Sequence, residues 1–149
     1  YSRPFLLFVI KPENMNLLLI SNSTMAGEEY LGWPRKYIAD FLRRHKVKKV
    51  CFIPYAGVSL SKKSLEDSYG IYTQKVAGVF DELGYELESV HQADDPVKIV
   101  HDAEAIVVGG GNTFYLVAAL YDMGLMEVIR EKVIAGTPYM GWSAGSNVA

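Results

Sequence analysis

The chain is predicted to fold as an α/β protein, three layers built around an open, mostly parallel β-sheet. Two observations carry that expectation. From Met15 onward, short apolar runs alternate with longer amphipathic stretches, the rhythm of βα units feeding a parallel sheet. Several runs, among them Leu17-Leu18-Leu19-Ile20 and Val50-Cys51-Phe52-Ile53, are apolar throughout, as strands covered on both faces require. No internal repeat, low-complexity tract or linker interrupts the alternation, so residues 15–149 read as one α/β domain.

Taken in order, the first strand covers residues 16–21 and opens into the polar loop Asn22-Ser23-Thr24. A helix is expected over 28–44, broken at Gly32-Trp33-Pro34 because proline lacks the N–H that an interior helical position donates. The basic run Arg43-Arg44-His45-Lys46-Val47-Lys48-Lys49 falls where this helix ends, so its cations complement the helix C-terminus and sit in water. Residues 50–53 form the second strand, Pro54-Tyr55-Ala56-Gly57 the loop after it, and 65–83 a helix stopped by Gly84. Alternating apolar and polar residues over 85–90 predict a third strand nearer an edge, closed by His91. Asp94 or Asp95 then caps a helix to Asp102, a carboxylate accepting the free amide protons of the first turn beside Pro96. Ala105-Ile106-Val107-Val108 is the fourth and central strand, and helices to residue 121 and over 125–135 lead into the fifth.

Composition bounds the function. Half of the 149 residues are hydrophobic and 21% are charged, which suits a soluble globular protein with a sizeable core. A net charge of −2 gives no reason to expect nucleic acid or an anionic membrane as partner. No apolar run approaches the ~20 residues that span a bilayer. The single cysteine, Cys51, sits in an apolar strand and reads as a buried structural thiol, in keeping with a reducing, cytoplasmic compartment. The three histidines lie far apart in sequence, so no metal site is expected. Residues 1–14 are a leader of open status, either outside the domain or an extra edge strand. Its apolar stretch over 5–10 is shorter than a signal h-region, and Lys11-Pro12-Glu13 rather than a small-residue cleavage site follows.

Two stretches carry chemistry. Gly141-Trp142-Ser143-Ala144-Gly145 meets the pattern G-x-S-x-G, in which a strand turns sharply into a helix and holds one hydroxyl at the strand's C-terminal edge. The nucleophile sits in a strained backbone conformation, so the residues two before and two after must lack a Cβ that collides across the turn. Ser143 is the candidate nucleophile. The second stretch, Gly109-Gly110-Gly111-Asn112-Thr113-Phe114, follows the central strand. It matches a dinucleotide fingerprint poorly, since Phe114 stands where that pattern needs glycine and no Walker lysine follows. A structural turn is one reading. The better one is an oxyanion hole, with Gly111 and Ala144 amides aimed at a reacting carbonyl.

With both stretches in view, the chain resembles the peptidase E family, α-aspartyl dipeptidases of the serine type built on the class I glutamine amidotransferase-like, flavodoxin-like fold. The likeness runs from Met15 to the end through Leu17 to Thr24, Phe52 to Val58, Val107 to Phe114 and Gly141 to Asn147. It implies hydrolysis of dipeptides with an N-terminal aspartate (Asp-Xaa) through an acyl-enzyme, without a cofactor. Ser143 would be the nucleophile, Gly111 and Ala144 the oxyanion donors, and Asn112 with Gly110 part of the substrate pocket.

In that family the base histidine and its acidic partner follow the serine, whereas only six residues follow Ser143 here and none is histidine or acid. The active site is therefore expected to be incomplete in this chain, which reads as the N-terminal part of a longer enzyme, truncated after the elbow and inactive alone. An uncovered apolar sheet face is expected to make it marginal in isolation. His45 and His101 read as solvated surface residues. His91 ends a strand at the active edge and is assigned to structural hydrogen bonding or substrate contact rather than to the base role. Two other functions remain open, an α/β-hydrolase-type esterase and a non-catalytic binding module. Oligomeric state is not legible.

Overall fold

A computed structural model describes residues 7–10, by their backbone, and 15–149. In chain order the strands are β1 (Leu7–Ile10), β2 (Leu17–Ile20), β3 (Lys49–Ile53), β4 (Glu86–Ser89), β5 (Ile106–Val108) and β6 (Tyr139–Trp142). The helices are α1 (Arg35–Arg44), α2 (Leu65–Glu82), α3 (Pro96–His101), α4 (Thr113–Asp122), α5 (Leu125–Ile134) and the short α6 (Ala144–Asn147), with a 3₁₀ turn over Val90–Gln92. They build one sheet in the order β1-β2-β6-β5-β3-β4. All neighbours are parallel except β1, which pairs antiparallel with β2. The rest of the leader lies outside the described residues.

Strands β2, β3, β5 and β6 divide their side chains between two cores with the period of two that a pleated strand imposes. On one face Leu18, Ile20, Val50, Phe52, Val107, Met140 and Trp142 meet α1 and α2 through Ile38, Phe41, Leu42, Val76 and Phe80. On the other, Leu17, Cys51, Ile53, Ile106, Val108 and Tyr139 meet α3, α4 and α5 through Val100, Leu116, Leu120, Leu125 and Ile129. β5 is buried at all three positions and sits centrally, while β4 forms the far edge, each as its apolar pattern predicts. Beside β2 the second face is less completely covered. An apolar groove of about 560 Å³ opens there between Leu17, Leu120, Ile129, Tyr139 and Val148.

Polar side chains set the helix starts. Ser64 accepts from the Asp67 amide at 3.0 Å and Asp95 from that of Lys98 at 3.1 Å, each satisfying an amide that has no intrahelical partner. α1 differs from expectation, beginning at Arg35 rather than near residue 28. The preceding segment folds into turns instead. Leu31 is fully buried at φ +55°, Gly32 donates to the Glu29 carbonyl at 2.8 Å, and Pro34 supplies a helix start that needs no N–H. No helix among the described residues is long and apolar enough to cross a membrane.

Candidate active site

Ser143 follows the last residue of β6 and precedes α6, with φ +52° and ψ −115°. That is not the left-handed helical well, and a backbone of this kind stores about 1–3 kcal/mol unless its surroundings hold it. They do hold it. The Ser143 amide donates to the Ile20 carbonyl at 2.9 Å, and the Ser143 carbonyl accepts from the Ser146 and Asn147 amides and the Ser146 hydroxyl. The two elbow glycines show the collisions that their spacing implies. A Cβ on Gly141 would stand 2.3 Å from the Gly145 carbonyl oxygen, and one on Gly145 would stand 2.0 Å from that of Val108. Tyr139, buried on β6, donates its hydroxyl to the Gly145 carbonyl at 2.6 Å and so closes the turn from beneath.

The glycine turn after β5 lies against the elbow. A Cβ on Gly110 would come within 2.8 Å of the Ser143 Cβ, and Gly111, at φ +137°, leaves only 2.1 Å between such an atom and the Ala56 carbonyl oxygen. The Asn112 amide donates to that same carbonyl at 2.8 Å, while its side-chain oxygen caps α4 by accepting from the Tyr115 amide at 3.1 Å. Neither the Gly111 nor the Ala144 N–H donates to a backbone carbonyl among the described residues. A cavity of about 350 Å³ is lined by Ser143, Gly110, Gly111 and Asn112 together with Ser23, Tyr30, the 56–60 loop, Tyr72, Lys75 and Trp142.

Beneath Ser143 the Trp142 indole N–H is shared between the Tyr30 and Tyr72 hydroxyls, each at 3.1 Å, and the two hydroxyls are 3.2 Å apart. Phe52 stacks on Trp142, with centroids 6.2 Å apart, and meets the Tyr72 ring edge-on. Burial raises the pKa of both phenols, that of Tyr30 furthest, so both stay neutral at physiological pH and neither is a base. Lys75 stands over the Tyr30 ring. Sequence reasoning passed over Tyr30, Tyr72 and Lys75, which belong to no motif.

Among the described residues lining this cavity there is no histidine and no carboxylate. His91 is not one of them. Its ring lies 2.5 Å from the Ser89 hydroxyl through Nδ1, close to Thr73, 6.1 Å from the Tyr69 ring centroid, and 3.9 Å from Glu66 through Nε2. Burial draws its pKa below the ordinary 6.5. His101 is exposed beside Asp102, and His45 caps α1 with its ring edge against Phe41. Cys51 is buried, and desolvation pushes its thiol up to about 12, which leaves it inert.

The model of Peptidase family S51 matches residues 17–149. The chain is 49% identical over 133 residues to Peptidase E of Nostoc sp., covering 89% of this chain and 52% of that one. It is 43% identical over 134 residues to Peptidase E of Pasteurella multocida, with 90% and 54% covered. The chain thus spans about half the length of the curated relatives it matches. Among solved structures it is similar in fold to a peptidase from an acI-B1 Actinobacterium, with a TM-score of 0.67 and 24% identity over 87% of this chain and 54% of that one. A putative Peptidase E from Listeria monocytogenes is similar at a TM-score of 0.58 and 24% identity, with 88% and 59% covered. The strand order, the strained serine and the match over 17–149 agree, and the chain belongs to peptidase family S51.

Proposed function

We propose that this chain carries the nucleophile half of a serine-type dipeptidase that hydrolyses Asp-Xaa dipeptides through an acyl-enzyme. The observation that carries the reading is Ser143 at φ +52°, held on the wall of a cavity beside the unengaged amides of Gly111 and Ala144. In this reading the Ser143 oxygen attacks the scissile carbonyl carbon and its proton passes to a base. The carbonyl oxygen takes up negative charge facing the two amides. The C–N bond then breaks, the base returns the proton to the leaving amine, and water hydrolyses the ester. The imidazole that serves as base is not among the residues lining this cavity, and the further length of the relatives is where the reading draws it from. These 149 residues by themselves are then inactive.

The test is made on the protein at its full native length. Turnover of Asp-Leu and labelling of Ser143 by a fluorophosphonate are expected, with both lost in Ser143→Ala. Hydrolysis of short acyl esters in preference to the dipeptide overturns the reading. The lack of any imidazole among the described residues lining the cavity also favours a second one, a non-catalytic binder of small peptides. Tight binding of Asp-Leu without turnover, unchanged in Ser143→Ala, selects that alternative.

A further inference from the structure

Lys75 is the one charged side chain among the described residues that line the Ser143 cavity. It projects from α2, with Nζ 4.1 Å from the centroid of the Tyr30 ring. A cation over an aromatic face is held in place without being neutralised. Lys49 and Lys98 are each paired with a carboxylate, at 2.6 and 2.7 Å, whereas no carboxylate among the described residues pairs with Lys75. The Tyr30 hydroxyl accepts from the Trp142 indole, and Trp142 is the residue before Ser143. A positive charge is therefore tied through the Tyr30 side chain to Trp142, the nucleophile's neighbour. The described residues lining the cavity supply no negative charge to offset it, and its two buried phenols stay neutral.

We propose that Lys75 receives a carboxylate of the substrate and is a specificity-determining residue of this site, an inference that rests on the dipeptidase reading above. An Asp-Xaa dipeptide has two carboxylates, on the aspartate side chain and at the C-terminus. Each carboxylate carbon lies the same number of bonds from the scissile carbonyl carbon. With that carbon at Ser143, both groups lie three bonds away and stay within the cavity that Lys75 also lines. An uncharged replacement removes the one charged side chain among the described residues lining the cavity.

The experiment compares the full-length native protein with Lys75→Met and Lys75→Arg on three substrates, Asp-Leu, Asn-Leu and the C-terminal amide of Asp-Leu. The wild type is expected to prefer Asp-Leu. In Lys75→Met one preference, over Asn-Leu or over the amide, falls by about tenfold or more, the size of one charge-assisted hydrogen bond at a site open to solvent. The arm that falls names the carboxylate. Lys75→Arg keeps most of the preference, and added salt weakens it in the wild type. Unchanged preferences in both arms of Lys75→Met overturn the proposal while leaving the dipeptidase reading intact. If the wild type turns over none of the three, the dipeptidase reading falls, and the site is judged by succinate titrated against the Trp142 indole N–H signal in ¹H–¹⁵N spectra. A saturable shift in the wild type that is lost in Lys75→Met supports the cation's role. No shift, or the same shift in the variant, overturns it.

Discussion

Two serines in this chain stand in opposite circumstances. Ser89, at the end of β4, has a histidine ring nitrogen 2.5 Å from its hydroxyl and a carboxylate 3.9 Å from the other nitrogen of that ring. By residue type this is a serine, histidine and acid set. Yet Ser89 is 2% exposed and the His91 side chain 3%, so no substrate reaches either. Ser143 has no imidazole near it among the residues lining its cavity, but it has access, a strained backbone and two unengaged amides. The contrast teaches that a constellation of residue types is not a site. What distinguishes Ser143 is backbone geometry, which sterics at Gly141 and Gly145 make possible and which no packing requirement explains.

The sharpest way to break this comparison is to exchange the fates of the two hydroxyls. In the full-length protein Ser143→Ala is expected to lower kcat for Asp-Leu by about a thousandfold or more, because the acyl-enzyme cannot form. Its denaturation midpoint should move little, since the Ser143 hydroxyl is not a partner in any hydrogen bond among the described residues. Comparable loss of activity in Ser89→Ala, with the fold intact, would show that the buried set takes part in catalysis after all.

Next in size is Gly145→Ala. The added Cβ would meet the Val108 carbonyl oxygen at 2.0 Å, backbone that cannot rotate aside, so the elbow must shift. A cost of about 3 kcal/mol is expected from forcing an atom into a closed backbone contact, read as a lower midpoint in urea. A neutral result would mean that the turn is not as tightly closed as the Tyr139 and Gly145 hydrogen bond implies.

Ser89→Ala is the smaller counterpart on the other side. It removes the nearer partner of both Thr73 Oγ1, at 3.2 Å, and His91 Nδ1, leaving these two atoms only their long contact with each other at 3.5 Å. Stability should fall by about 1–3 kcal/mol while kcat/KM stays within about twofold, the mirror image of Ser143→Ala. Equal stability in the two variants would remove the structural role assigned to the Ser89 cluster.

The same contrast explains what the sequence made legible. The strands were readable because runs such as Leu17 to Ile20 and Ile106 to Val108 are buried on both faces, and burial on both faces demands apolar residues without a gap. The elbow was readable because its constraint is local, glycine at fixed distances from one serine. The capping role of Asn112 at the helix after the glycine turn was not part of the sequence reading, which took this residue only for a pocket residue. The start of α1 was misplaced because the turns before it depend on burying Leu31 at φ +55°, a tertiary choice that local pattern does not encode. Tyr72 and Lys75 were invisible for a related reason. On α2 they look like ordinary members of an amphipathic helix, and only the packing of α2 beside β6 and the glycine turn brings them to Ser143. His91 was expected to close a strand over 85–90, but β4 ends at Ser89 and His91 sits inside the 3₁₀ turn Val90–Gln92, with its ring against Tyr69 and Ser89 rather than in the cavity.

The smallest expected effect is also the most direct probe of the buried set. Burial draws the His91 pKa below its ordinary 6.5, with Glu66 opposing but not cancelling that shift, so the ring is neutral in the fold. The unfolded chain takes up this proton near pH 6.5, and the folded chain only at lower pH. Between those values the unfolded state binds more protons, so stability rises with pH through the interval. The contribution is fully present above the unfolded value and is lost as pH falls through the folded one. His91→Asn keeps a hydrogen-bonding group beside Ser89 and removes the titration. The wild type should therefore lose more stability than the variant when the urea midpoint is followed from about pH 7.5 down to about pH 5.5. A wild type that instead gained stability relative to the variant on acidification would mean that His91 is charged in the fold and pairs with Glu66. The buried set would then be a working ion pair around Ser89, and the distinction between the two serines would rest on access alone.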